Sequence, residues 1–181
     1  MLSRVEKFEA ALAQTECDAV LVTNLKNIYY LTGFSGTEAT VFISKNRRIF
    51  LTDARYTLIA KGVVQGFDIV ETRDAIGEIV KIIADDKLQK IGFEDEISYA
   101  YFKMLESVFS AYELVPMTGF IENLRMIKDE QEIATIRKAC QISDQAFLDV
   151  LDFIKPGETT ELAVMNFLDA RMRQLGASGA S

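Results

Sequence analysis

The chain has 181 residues, room for one domain of ordinary size and the start of a second, and its 49% hydrophobic and 26% charged content is that of a packed globular protein. A net charge of -7, with 20 Lys and Arg scattered rather than gathered in a stripe, repels a phosphate backbone and argues against a nucleic-acid partner. The first 16 residues alternate charged and apolar positions, and no apolar run approaches the roughly 20 residues that span a bilayer, so the expected location is cytoplasmic, away from membranes.

Ser3 with Glu6 forms a capping box, and Val5, Phe8 and Leu12 recur on one face behind it, which predicts an amphipathic helix over 3–15. Residues 19–22 read as a buried strand, Asn24 to Leu31 as a short helix closed by Gly33, and 39–44 with 48–52 as a hairpin around Lys45-Asn46-Arg47. Asp53 is placed to cap a third helix carrying Tyr56, Ile59 and Val63; Gly66 stops it, and 67–71 is the next strand. Ile76, Ile79, Val80 and Ile83 mark a helix, 90–93 a strand, Phe102, Leu105 and Phe109 a helix starting near Ser98, and 113–116 a last strand. The hairpin supplies an antiparallel pair, whereas the later strands are each separated by a helix long enough for a right-handed parallel crossover. The expected fold class is therefore α/β: a mixed, mostly parallel six-stranded sheet with helices on both faces, occupying residues 1–123.

Residues 124–181 have a different character. Asp129 starts a long helix, Pro156-Gly157 breaks it, and Thr159 or Thr160 caps a second helix ending at Gly176, with no strand after it. The first helix carries Ile133, Ile136, Cys140, Phe147, Leu151 and Ile154 at helical spacing, and the second Leu162, Met165, Leu168, Met172 and Leu175. Leaving most of these in water would forfeit on the order of 15 kcal/mol, so the pair is expected to be the opening of a second domain whose sheet is missing.

The chemistry-bearing residues are sparse. There is no His, which removes the commonest general base, every Ser-His or Cys-His pair, and the imidazole ligands of a zinc site. Cys17 and Cys140 are distant in sequence and suit inert thiols, with no disulfide framework. Glu94-Asp95-Glu96 and Asp85-Asp86 are the densest acidic runs, but neighbours in an extended segment point to opposite faces, so both read as solvated loop charge. Tyr99, Tyr101, Phe102, Phe109 and Tyr112 read as core aromatics rather than a peptide groove. The residues themselves assign no catalytic group and no metal ligand.

Two segments carry a family resemblance. Tyr30-Leu31-Thr32-Gly33-Phe34, then Ser35-Gly36 and a hairpin ending in Thr52-Asp53-Ala54-Arg55-Tyr56, resembles the amino-terminal domain of the creatinase, prolidase and aminopeptidase P group. Leu124 to Lys128, Glu130 to Ile133, Ile136 to Ala139, Pro156-Gly157-Glu158 with Glu161, and Arg173 to Ala177 resemble the entry into that group's pita-bread catalytic domain. The resemblance implies a ribonuclease H-like first domain in a metal-dependent peptidase that cleaves between an amino-terminal residue and proline. It also implies two divalent ions, manganese or cobalt, held in the whole enzyme by two Asp, one His and two Glu that lie after these two helices, so no cofactor is expected within this segment. Short proline-containing peptides and a second copy of the chain, in a homodimer, are the implied partners. The same fold also serves non-catalytic peptide- or protein-binding modules and creatine-type amidinohydrolases, and the Asp, Asp, His, Glu, Glu set discriminates the first of these from a peptidase.

The turn around Gly33 to Thr37 has two readings. Its glycines suit a connection between a helix and a strand, and in related dimers the loops of this domain approach the active-site cleft, which makes Phe34, Glu38 and Arg55 candidates for shaping the substrate pocket. Arg55 serves equally as a local bridge to a carboxylate or as the partner of a peptide's carboxylate.

Overall fold

A computed structural model describes residues 3–179, so the outermost positions of the expected segments 1–123 and 124–181 lie outside the described residues. The chain divides into two compact units, one ending at Met126 and the other starting at Ile127.

The first unit is built on a six-stranded sheet. Its strands are β1 (Ala19–Val22), β2 (Thr40–Ser44), β3 (Arg48–Thr52), β4 (Asp68–Glu71), β5 (Lys90–Phe93) and β6 (Glu113–Pro116), in the order β4-β3-β2-β1-β5-β6. β2 runs antiparallel to both neighbours and every other pairing is parallel, which gives the mixed, mostly parallel sheet that the alternation of strands and helices predicts. The central strands are apolar at consecutive positions because both faces are covered.

Period-two alternation sorts those side chains. Val20, Val22, Val41, Ile43 and Phe50 join one core with Phe8 and Leu12 of α1 (Arg4–Leu12), Ile28 and Leu31 of α2 (Leu25–Thr32), and Ala60 of α3 (Thr57–Val63). Ala19, Leu21, Phe42, Ile49, Leu51, Ile91 and Phe93 face the other way, against Ile79 and Ile83 of α4 (Ala75–Asp85) and Leu105 of α5 (Tyr99–Val108). At roughly 1.5–3 kcal/mol for each large side chain removed from water, these two layers are the main source of the unit's stability.

The caps follow the sequence at most ends. Ser3 and Glu6 make the reciprocal capping box of α1, and Asn24 caps α2 by accepting from the Lys26 amide. Gly33 closes α2 at φ 74°, a conformation that costs a side chain with a Cβ. Two expectations need correction. Asp53 does not cap α3, which starts a turn later behind Tyr56 without a side-chain cap; the Asp53 carboxylate accepts instead from the Arg55 amide two residues on. The face of α3 turned inward is Thr57, Ala60 and Val64, so Ile59 and Val63 are largely in water. A helix not foreseen, α6 (Phe120–Met126), lays Ile121 into the first core layer.

The second unit is a helix pair, α7 (Glu130–Phe153) and α8 (Glu161–Gln174). Asp129 and Glu132 form a capping box on α7, and Thr160 caps α8 through the Ala163 amide. The helices pack on each other, with Phe153 stacked on Phe167 at 4.4 Å and Arg171 paired with Asp149 at 2.6 Å. Ala146 and Val150 are buried, while Ile136, Phe147, Leu151, Ile154, Leu162 and Met165 of the expected stripes remain exposed. Among the described residues no helix is long and apolar enough to cross a membrane.

Candidate functional site

In open α/β sheets ligands gather beyond the carboxyl ends of strands, at the point where the chain leaves in opposite directions. Here that point lies between β1 and β5, and the chain fills it with its own side chains. The Glu94 carboxylate, directly after β5, accepts from the Thr23 and Asn24 amides at 2.7 Å each and from Asn27 Nδ2 at 2.6 Å. Fully buried Asn27 gives its second amide hydrogen to Glu122 of α6 at 2.5 Å, and its Oδ1 accepts from Arg125 Nη1 at 2.9 Å. Glu94 is therefore a buried structural carboxylate and not the solvated charge that its acidic neighbours suggest, since burial at this depth requires the four donors that surround it.

An open pocket of about 390 Å³ remains at the carboxyl ends of the next parallel pair, β3 and β4. Thr52 and Thr72 line it where those strands end, Glu38 and Thr40 where β2 begins, and Asp53, Arg55 and Arg73 from the connections. Asp53 and Arg55 make a closed fork: Asp53 Oδ2 accepts from Arg55 Nε at 2.9 Å and Nη2 at 2.6 Å, and Oδ1 from the Arg55 amide. The Arg55 guanidinium holds the Asp53 carboxyl below the usual carboxylate range, and Asp53 raises the guanidinium in return. Arg55 also stacks on Tyr56, at 5.5 Å from the ring centre.

The loop before β2 is fastened from below. Phe34 is buried, edge-on to Phe50 at 5.0 Å and to Tyr56 at 5.7 Å, and a Cβ on Gly36 would fall 2.2 Å from the Phe34 ring. Thr37 Oγ1 and Tyr56 Oη share a hydrogen bond at 2.8 Å, and Thr52 Oγ1 donates to the Glu38 carbonyl at 2.6 Å. Glu38 and Arg55 thus meet at one pocket, whereas Phe34 stays out of it and holds the loop that carries Glu38. Arg73, which no motif in the sequence marks, belongs to the same pocket; its signal is an Arg in the connection directly after a parallel strand.

A larger cavity, about 730 Å³, opens at the other ends of these strands, beside the β2–β3 turn. Its Arg48 is held bidentately by Glu9 at 2.5 and 2.7 Å, so the cavity has less charge to offer a ligand than its size suggests. Among the described residues no three His, Cys, Asp or Glu converge as a metal site.

Residues 4–127 match the Creatinase/Prolidase N-terminal domain family. An uncharacterized peptidase of Bacillus subtilis, YqhT, is 37% identical over 183 aligned positions, covering 98% of this chain and 51% of that protein. The Xaa-Pro dipeptidase from Bacillus anthracis superposes with a TM-score of 0.89 at 35% identity, over 97% of this chain and 50% of that one. A shorter solved chain, the aminopeptidase P from Streptococcus thermophilus, is 56% identical with a TM-score of 0.66 and covers 67% of this chain and 95% of its own length. The chain spans about half the length of the curated relatives it matches and corresponds to their N-terminal portion. By sequence and by fold alike, it belongs to the creatinase/prolidase N-terminal domain family.

Proposed function

We propose that these residues form the N-terminal part of a metal-dependent Xaa-Pro peptidase that works in the cytoplasm as a homodimer, where they shape the substrate cleft and the dimer interface without performing the cleavage. The observation that carries the reading is the match to a Xaa-Pro dipeptidase of twice this length along nearly the whole of the present chain. The pocket supports it locally, because a fastened loop and a fork of charges present fixed polar groups at the edge of the sheet.

The two divalent ions of the reading, manganese or cobalt, would activate the attacking water and polarise the scissile carbonyl. The residues of this chain do not fit them, since no ligand cluster converges among the described residues, so the segment's own contribution is binding and orientation. Bonding inside the Asp53–Arg55 fork fixes this wall of the pocket before a peptide arrives, which lowers the ordering cost of recognition.

The test compares the 181-residue protein with a version extended by its own coding sequence to the length of its relatives. Alanyl-proline and alanyl-prolyl-alanine are supplied with manganese or cobalt, and the released residue is measured. The extended protein should cleave both or one of them, and the 181-residue protein neither. No cleavage of any Xaa-Pro bond by the extended protein would overturn the peptidase reading and favour a peptide-binding module.

A further inference from the structure

The carboxylate-gripping role that the sequence suggests for Arg55 fits another residue of the same pocket better. Arg55 is committed: its Nε and Nη2 both donate to Asp53, and its neighbour's charge is neutralised in the process. Arg73 lines the pocket from the β4–α4 connection and, among the described residues, makes no hydrogen bond or close ion pair. It acts on Asp53 through charge alone. All five N–H donors of its planar guanidinium therefore face solvent or a ligand, and that fork matches a carboxylate in two parallel hydrogen bonds. Glu38 adds a like charge that an incoming carboxylate avoids, so the Arg73 side is where an anion gains most. Thr40, Thr52 and Thr72 leave the lining uncharged between them, and the volume of about 390 Å³ accepts a dipeptide.

We propose that Arg73 grips the terminal carboxylate of a short peptide in this pocket, while Arg55 is a positioning residue that keeps Asp53 neutralised and the pocket wall in place. The proposal rests on the peptide-cleft reading for its ligand and adds the residue that recognises one end of it. It also states a selectivity: a peptide with a free carboxylate is preferred over its amide.

The 181-residue protein, labelled with ¹⁵N, is titrated with alanyl-proline and with alanyl-prolinamide. The free acid should shift the amide signals of residues 72–75 and the Arg73 side-chain N–H, with the amide binding about fivefold or more weakly. Arg73→Ala should remove the preference for the acid, Arg73→Lys should restore part of it, and Arg55→Ala should reduce it less than Arg73→Ala does. The same spectra report whether each variant keeps its fold. Intact discrimination in Arg73→Ala, a larger loss in Arg55→Ala, or no shift at residues 72–75 with the unaltered protein would each overturn the proposal. Alanyl-alanine separates it from the peptidase reading. Arg73-dependent binding of any dipeptide acid, alongside an extended protein that cleaves no Xaa-Pro bond, leaves the carboxylate site standing and removes the reading. Cleavage of Xaa-Pro peptides with no role for Arg73 does the reverse.

Discussion

Asp18 shows how one carboxylate joins two parts of the chain. Its Oδ2 accepts from the Gln89 amide at 2.9 Å and the Lys90 amide at 3.0 Å, fixing the start of β5 beside β1. The Lys90 amide, with that of Gln89, holds the carboxyl below the ordinary aspartate range despite partial burial. A carboxyl lowered by folding contributes stability that is fully present above its unfolded value of roughly 4 and is lost as pH falls through the lower folded value. Asp18→Ala should thus cost about 1–2 kcal/mol at pH 7, and the gap from the unaltered protein should narrow as pH drops below about 4. Denaturant titrations across that range measure it; a gap independent of pH would assign the loss to packing instead. Such roles are legible in sequence only in part. Alternation places Glu94 on the face of Gly92, opposite Ile91 and Phe93, so one member of the acidic run had to face a helix layer. What could not be read was that Asn27 and Glu122, 67 and 95 positions from their partners, would arrive there.

At the scale of elements, strands and capped helices were readable because their signals are local: alternation, a capping box, a glycine past the last turn. The cap and inward face of α3, and the whole of α6, escaped for related reasons. α3 carries Leu58, Ile59 and Val63 on its wet side, so its apolar pattern points away from the core, and its inward face uses the small Ala60. α6 is only seven residues long, too short for its Phe120, Ile121 and Leu124 to show a clear period; they pack on the first core layer, and the Asn27 side chain of α2 donates to Glu122 and accepts from Arg125. Asn27→Ala removes the hub of that bonding and leaves Glu94, Glu122 and Arg125 each short of a partner. The expected cost is about 2–4 kcal/mol, with faster amide exchange concentrated in α6 and at the start of α2. Uniform exchange across the sheet with α6 unchanged would show that apolar contacts of Ile121 suffice to hold this helix.

For the molecule as a whole, the first unit has two complete core layers, and a solved relative of nearly the same extent, the Streptococcus thermophilus protein that matches 67% of this chain, is a chain in its own right. Residues 1–126 should therefore unfold cooperatively without α7 and α8, with a Tm within about 5 °C of the 181-residue protein. Loss of the cooperative transition would mean that the two units share one core. The same truncation has a second readout: α7 and α8 expose Phe147, Leu148, Leu151 and Leu162, so a dye that reports apolar surface should lose signal when they are removed. The strand order β4-β3-β2-β1-β5-β6 carries one more consequence, for synthesis rather than for the finished fold. On one side of β1, strands adjacent in space are adjacent in sequence, whereas on the other side Ala19 pairs with Ile91, some 70 positions on. Closing so long a loop adds little to the equilibrium cost but delays the contact. At roughly 5–20 residues per second, a ribosome leaves that edge of β1 unpaired for roughly 4–14 s after the strand is made. The hazard of misassembly during translation therefore falls on one side of a single four-residue strand, Ala19–Val22.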